Sequence, residues 1–426
     1  MKKIFAILSV LVSVTLSSQI INFPDPLFKS RLLNEVYPAA QDLAGNYLQL
    51  DANNDNEIEV SEALLVGSLL IDYSSLVDLT GVEYFTNLRY LDCKGNNLNQ
   101  LNLTELTELS TALVYNNNLT NLEVSGLTNL WMLQCSNNLL TNLDLSGLVS
   151  LDLLTCNNNS LSNLELSGLS QLRLIDASNN NLVNINIAGL SNVTQLKCSD
   201  NELKSLNLSG LTALRILDCS TNQLTDIYSN ELINLQYMFC YNNELTSLNL
   251  NQSTALTALD CTSNQLSTID IMMSPDLHDI DCAYNNLSTL YLRNGTYISY
   301  IDFQGNPNLT FICANAGDIP LLNYSILFLN YQCTVDSVCE LSQSDVLPSE
   351  KVTLYPNPAF DVLNITFENQ IKIEKINIYN TLGQVVLVIP NTQKTKSVDV
   401  SSLNTGNYFL KIFSDQRSSS VKFVKM

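Results

Sequence analysis

Leucines return along most of this chain every 21 residues, within a mixed apolar and polar unit. With Cys93 as the reference slot, successive steps of 21 land on Val114, Cys135, Cys156, Ala177, Cys198, Cys219, Cys240, Cys261, Cys282 and Phe303. Three places after each slot stands an asparagine, from Asn96 to Asn306, and two further on a leucine in the first ten units, Leu98 to Leu287. The unit reads L-x-x-L-x-C-x-x-N-x-L-x-x-L-x-L-x-x-L. In its L-x-L-x-C segment apolar and polar positions alternate, which predicts a short strand with one buried face. The asparagine falls where the chain must leave that strand. Its amide is suited to bonding turn peptides of its own unit and of the next, so a ladder is predicted. The second half, as in Leu206-Asn207-Leu208-Ser209-Gly210-Leu211, is too short for a long helix and is read as an extended or single-turn back wall. No unit can bury its leucines alone, so stability must come from stacking. At about 4.8 Å per strand, eleven units give a stack roughly 50 Å long.

This pattern resembles that of leucine-rich repeats, with cysteine filling an apolar slot. The predicted fold is a mainly β solenoid of eleven 21-residue units over residues 86–312, with parallel strands. A small helical cap is expected over 19–85, a second cap over 313–341, a linker over 342–350 and a separate β-sandwich over 351–426. In the first cap, Phe28 to Leu48 has helical character, with Leu32, Leu33, Val36 and Ala40 at suitable spacing. In the second, Tyr324, Phe328 and Tyr331 are the candidates to cover the last unit.

Between these features, oxygen-bearing side chains fall at positions 1, 3, 5, 7, 9 and 12 of one loop: Asp51, Asn53, Asp55, Glu57, Glu59 and Glu62, with apolar Ile58 at position 8. The segment resembles an EF-hand calcium loop, where hard oxygen ligands wrap one cation. Asn56 departs from that pattern, which prefers glycine there, though Asn tolerates a left-handed backbone better than most residues. The resemblance implies a calcium ion bracing the cap; the other reading is a polar Asx-rich turn. No other cofactor is implied.

Past residue 350 the 21-residue period is gone. Alternating stretches at 362–367, 376–379, 384–388, 408–412 and 421–424, with Gly383 and Gly406 at turns, predict several short strands. Leu354-Tyr355-Pro356-Asn357-Pro358-Ala359 opens this module, Ile378 to Gln384 and Leu403 to Tyr408 follow, and Lys422-Phe423-Val424-Lys425-Met426 closes it. In order and combination these are similar to the C-terminal sorting domain of type IX secretion cargo in Bacteroidetes. The resemblance covers about 76 residues. It implies export across the outer membrane by that machinery, then release or attachment to the cell surface, with Tyr355, Pro356, Asn357, Pro358, Gly383, Gly406, Lys422 and Lys425 as the sorting motif. The repeat body likewise resembles leucine-rich-repeat proteins of the same bacteria.

Charge divides the chain in the same place. Residues 19–344 hold 34 acidic and 9 basic side chains, whereas residues 345–426 hold 7 and 9. So acidic a body repels nucleic acid and anionic lipid. Lys2 and Lys3 before an apolar run of 13 residues, Ile4 to Leu16, read as a secretory signal over 1–18, and no later run has the roughly 18 apolar residues of a membrane helix. Of the 11 cysteines, eight occupy the inward slot and are expected as buried thiols. Cys313, Cys333 and Cys339 lie where the pattern breaks, and a bridge is expected there, either Cys333 to Cys339 or Cys313 to one of them.

Little points to catalysis. The single histidine, His278, rules out a multi-histidine zinc cluster and sits at a variable repeat position. The cysteines have no histidine partner, and the reading is of a protein that is not an enzyme. Better candidates are the outward strand positions. Tyr237, Phe239 and Tyr241 share one unit, and Tyr90, Tyr115, Met132 and Tyr300 add to the same surface. Asp260, Asp281 and Asp302 occupy one outward slot on three successive units, with Asp279 beside them; either solvent screens them or a cation or basic partner sits there. The expectation is a secreted or cell-surface interaction or adhesion protein whose partner is an extracellular protein or glycan. The alternative is a structural envelope or matrix component. Asp336-Ser337-Val338 resembles the O-glycosylation motif of these bacteria.

Overall fold

The computed structural model describes residues 19–228 and 231–339, and in the C-terminal stretch 352–367, 375–380, 385–390, 397–414 and 417–426. The expected leader at 1–18, the linker at 342–350 and Gly383 lie outside the described residues. The chain divides into two compact units, Met1–Val338 and Cys339–Met426.

The first unit is a β-solenoid. Eleven strands, from Tyr90–Asp92 to Tyr300–Asp302, pair in parallel at one 21-residue register, as in Leu91 with Ala112 and Ile280 with Ile301. They belong to a sheet of 14 strands that continues N-terminally through Val66–Leu70. The middle residue of these strands points inward, and so does the cysteine slot that follows. Cys93, Cys135, Cys156, Cys198, Cys219, Cys240, Cys261 and Cys282 are all fully buried free thiols on the inner edge of the sheet. Desolvation pushes each thiol up; Cys135 reaches about 12. The back wall is extended, with short parallel pairs such as Asn163–Glu165 with Asn184–Asn186. There Ser253 and Ser274 stand in a slot that holds leucine in the earlier units, and their buried hydroxyls have no hydrogen-bond partner.

Every one of the eleven asparagines forms the same rung. The Asn180 Nδ2 donates to the carbonyls of Cys156 in the preceding coil and of Ala177 in its own, while its Oδ1 accepts the Leu161 amide. From Asn116 to Tyr284 the residue immediately before each rung has a left-handed backbone, with φ between 50° and 57°. That kink brings the chain out of the strand and turns the amide inward.

The N-terminal cap is less helical than its sequence suggests. Helix α1 spans only Pro26–Leu32, started by Asp25, whose carboxylate accepts the Leu27 amide. It stops because the Asn34 side chain accepts the Val36 and Tyr37 amides and Pro38 offers none. Val36 is consequently exposed and Ala40 lies in a strand. Residues Ala40–Asp42 pair antiparallel with Tyr47–Leu48 and with Val66–Leu70, so the cap closes the sheet edge with strands. A second short helix, α2, spans Val60–Ala63. Phe23 and Phe28 pack edge to face below them, centroids 5.2 Å apart.

At the other end, α3 spans Ile319–Leu329. Tyr331 covers the last coil as expected: its ring lies 6.2 Å from that of Phe303 and its hydroxyl accepts the Asn306 amide. Tyr324 and Phe328 do not, because the helix presents Leu322 and Ile326 to the core and turns the other two outward. Cys313 and Cys339 are disulfide-bonded. Cys333 is not, which corrects the expected Cys333–Cys339 bridge: it is a half-buried thiol packed on the end of the solenoid core.

The second unit is a β-sandwich. Three strands, Val352–Tyr355, Val362–Phe367 and Ser397–Asp399, form one sheet. Lys375–Asn380, Val385–Pro390, Gly406–Ser414 and Arg417–Lys425 form the other. Leu363, Ile365, Ile376, Ile378, Leu410 and Phe423 fill the space between them.

Candidate binding surface and sorting module

Because the strands are in register, each outward position becomes a straight column across the solenoid. Asp218, Phe239, Asp260, Asp281 and Asp302 are successive partners in one column; Ile216, Tyr237, Ala258, Asp279 and Tyr300 form the next. Tyr237 is 42% exposed, Phe239 and Tyr241 are half-buried, and all three come from one coil. The sheet thus brings the expected aromatic and acidic residues together, with Phe239 directly beside Asp260.

The two ends of the face differ electrostatically. Near the N-terminal end, Asp92 is neutralised by Lys94, which also reaches Asp72. Near the other end, Asp260, Asp281 and Asp302 pair with no lysine or arginine among the described residues. Neutral donors hold them instead: the Thr262 hydroxyl donates to Asp281 at 2.6 Å, and Gln304 donates to Asp302 through both its amide and its side chain. Burial pushes the Asp260 carboxyl above its ordinary value; the Thr262 hydrogen bonds oppose this, and Asp281 and Asp218 reinforce it. Tyr300 is pushed up by burial and by the same acidic group. His278, at the rim, contacts the Ser299 hydroxyl at 3.1 Å and takes no part in the column.

One feature of this end is missing from the sequence reading. Between α3 and the end of the last coil lies a crevice of about 230 Å³, lined by Ile301, Asp302, Phe303, Gln304, Tyr324, Ser325, Phe328 and Leu329. The signal available was a cap segment, Ile319–Leu329, that carries no charge on any side.

In the Asp51–Glu62 loop most acidic oxygens bond backbone amides. Asp51 accepts from Asp55 and Asn56, Asp55 from Glu57, and Glu62 from Ala52 and Glu59. Glu57 pairs with Lys29, and Asn53 donates to Asp55 and Glu59. Among the described residues no three of His, Cys, Asp or Glu are gathered to hold a metal. Asn56 has the left-handed backbone its position demands, with φ 64°, as does Asn54 with φ 60°. Glu59 is raised above its ordinary value, first by a hydrogen bond to Glu62 and then by burial.

In the sandwich the first and last pieces of the sorting motif meet. The Asn357 side chain accepts the Val424 amide at 2.9 Å and donates to the Lys422 carbonyl at 3.3 Å. Ala359 pairs with the same strand through the Val424 carbonyl and the Met426 amide. Lys422 is exposed and Lys425 buried, while Tyr355, Pro356 and Pro358 are exposed on the surface of the unit. Gly406 opens the strand Gly406–Ser414, and the Tyr408 hydroxyl donates to the Asn404 carbonyl, a tie the sequence did not announce.

The solenoid is similar in fold to the functional domain of InlJ from Listeria monocytogenes, a structure described as including a cysteine ladder. The identity is 22%, the TM-score 0.59, and the match covers 96% of this chain and 99% of that one. An internalin, inlF, from the same organism matches at 19% identity, TM-score 0.46, over 77% of this chain and 100% of its own. YopM, a leucine-rich effector from Yersinia pestis, matches at 25% identity, TM-score 0.49, over 59% and 72%. No curated protein matches the sequence. No helix among the described residues is long and apolar enough to cross a membrane. Residues 353–426 match the family described as the secretion system C-terminal sorting domain. The chain is therefore a leucine-rich-repeat solenoid carrying a type IX secretion sorting domain, directed out of the cell or onto its outer surface.

Proposed function

We propose that this chain is an extracellular interaction protein, an adhesin in the broad sense, whose concave strand face holds a protein or glycan partner and does no chemistry on it. One observation carries the reading: Tyr237, Phe239 and Tyr241 project from a single coil of a rigid parallel sheet, with Asp260 on the adjacent strand and Asp279 and Asp281 on the strand after it. Aromatic side chains on a pre-ordered surface lose little entropy on binding and are typical anchors. The test is a protein and glycan array probed with the full chain. Saturable binding that is lost on joint Tyr237→Ala and Phe239→Ala substitution supports the reading. A partner that ignores those substitutions overturns it, and the absence of any partner favours a structural envelope or matrix component. That second reading is supported by the middle of the same face. There Ser136, Ser178, Ser199 and Ser220, which share one column with the half-buried Asn157, are buried, so the column offers no projecting anchor in these coils.

Calcium at the Asp51–Glu62 loop is a separate proposal, as a brace for the cap. It is supported by the order of oxygen ligands, by the left-handed Asn56, and by the closeness of the Glu59 and Glu62 carboxyls, which raises Glu59 and which a cation would relieve. The ion would compete with protons for these carboxylates, so its binding weakens as pH falls.

A further inference from the structure

The outer side of α3 is apolar beyond what a cap requires. Leu322 and Ile326 already seal the last coil. On the opposite side Tyr324 is 70% exposed, and Leu327 and Phe328 80% each, on a helix without a single charged residue. A contiguous exposed apolar patch on a strongly acidic domain marks an interaction site. It is continuous with the acidic column, because Asp302 and Gln304 form one wall of the crevice and Tyr324 and Phe328 another.

The surroundings select the occupant. A second copy of the chain would bring its own acidic body, 34 acidic against 9 basic side chains over residues 19–344, against this acidic end. Anionic lipid and nucleic acid are repelled for the same reason. A neutral glycan would leave the three carboxylates without cations. What complements both halves is a polypeptide with positive charge followed by a large apolar side chain. The distances suit an extended segment. Phe239 to Asp302 is three strand steps, about 14 Å at roughly 4.8 Å each, or about four extended residues.

We propose that the C-terminal end of the concave face binds a basic, extended peptide segment of a partner protein. Its lysine or arginine side chains lie over Asp260, Asp281 and Asp302, and its terminal leucine or aromatic side chain enters the crevice between Asp302 and Phe328. This rests on the concave face being the binding surface and adds the chemistry of the partner.

The probe is a fluorescein-labelled pentapeptide, Arg-Ala-Arg-Ala-Phe with blocked ends, titrated into the full chain by fluorescence anisotropy at 50 mM and 500 mM salt. Saturable binding that weakens with salt is expected. Replacing both arginines with glutamate should abolish it, and replacing the phenylalanine with alanine should weaken it at least fivefold. Phe328→Ser and Asp281→Asn should each weaken the parent peptide at least fivefold. Phe328→Ser should cost the alanine-ended peptide nothing further. Phe328 is exposed and Asp281 half-buried, and unchanged circular dichroism confirms the fold of each variant. Equal binding of the glutamate peptide, or indifference to Phe328→Ser, overturns the proposal. So does self-association of the wild type that Phe328→Ser abolishes. An array partner lost with Tyr237→Ala and Phe239→Ala, while the pentapeptide fails to bind, overturns this inference and leaves the concave-face reading standing. Loss of both overturns both.

Discussion

The side-chain oxygen of Asn201 accepts the backbone amide of Leu182, one coil back, at 2.9 Å. The same side chain donates to the Ala177 carbonyl at 3.0 Å and the Cys198 carbonyl at 3.1 Å, so one buried amide stitches two coils. Truncation to alanine strands these groups away from water, at roughly 1–3 kcal/mol for each one left unpaired. Asn201→Ala is expected to destabilise the solenoid by about 3 kcal/mol in urea unfolding. Asn201→Asp keeps the acceptor but faces two carbonyls with a carboxylate. Burial among acceptors raises that carboxyl, so the variant should be more stable at pH 4 than at pH 7. Equal stability at the two pH values would show that the rung is not the buried tie described.

The cysteine ladder makes the protein sensitive to alkali. Cys135 is fully buried, and desolvation raises it from an ordinary value near 9 to about 12. The unfolded chain releases that proton near pH 9, whereas the native protein holds it. The stability it contributes is complete below pH 9 and is lost between pH 9 and 12, at about 1.4 kcal/mol per pH unit. Valine is already tolerated in this slot at Val114. Cys135→Val should therefore unfold like wild type at pH 7, yet be more stable by about 2 kcal/mol at pH 10.5. In native protein at pH 8 a thiol reagent should leave all eight ladder thiols unmodified, because the thiolate is the reactive form. Rapid labelling of more than Cys333 would contradict the burial.

Calcium acts, on the proposal above, by linkage. An ion that binds only the folded cap stabilises it by RT ln(1 + [L]/Kd), about 2.7 kcal/mol at a hundredfold excess over Kd. The expected result is a higher melting temperature in 10 mM calcium than in a chelator, with no difference in Asp51→Asn or Glu62→Gln. An unchanged melting temperature in wild type would remove calcium from the cap and leave the loop as a hydrogen-bonded turn. Lowering the pH should shrink the calcium effect, since protons then compete with the ion for the carboxylates, Glu59 first among them because it is raised.

The solenoid was legible because its physics repeats. Cys93, Asn96 and Leu98 recur 21 residues on, and each recurrence excludes one more alternative register. The caps offer one copy of each signal, and there competing chemistry decided. Phe28 to Leu48 has helical spacing, but Asn34 and Pro38 end the helix through side-chain and missing-donor effects that spacing does not report. On α3 no position is charged, so composition could not say which side faces inward. The choice fell to Leu322 and Ile326, four apart, over Tyr324 and Phe328, also four apart. Columns on the strand face followed directly from register, which is why Asp260, Asp281 and Asp302 could be placed side by side. The crevice beside Asp302 could not, because it depends on how a helix packs against the last strand.

In the sorting module, Asn357 holds the last strand from outside the sheet. Its side chain bonds the Val424 amide and the Lys422 carbonyl, across 67 and 65 residues of sequence, so the first motif segment fixes the position of the last. Two neutral hydrogen bonds of this kind contribute about 1–2 kcal/mol. The remaining ties, from Ala359 to Val424 and Met426, are main-chain bonds that survive substitution. Asn357→Ala is therefore expected to leave a folded sandwich whose terminal strand exchanges its amide hydrogens faster, with Val424 affected most. If the secretion machinery reads that strand in its docked form, export of the full chain should fall in the alanine variant. Asn357→Asp keeps the acceptor for Val424 and loses only the donor to Lys422, so it should retain more export. Exposed Lys422 supplies the contrast: Lys422→Glu changes the surface charge without touching the Asn357 bonds, which reach only the Lys422 main chain. Reduced export in Lys422→Glu with wild-type hydrogen exchange would place recognition in the charge of the strand. Unreduced export in Asn357→Ala would show that docking of the strand is not what the machinery reads.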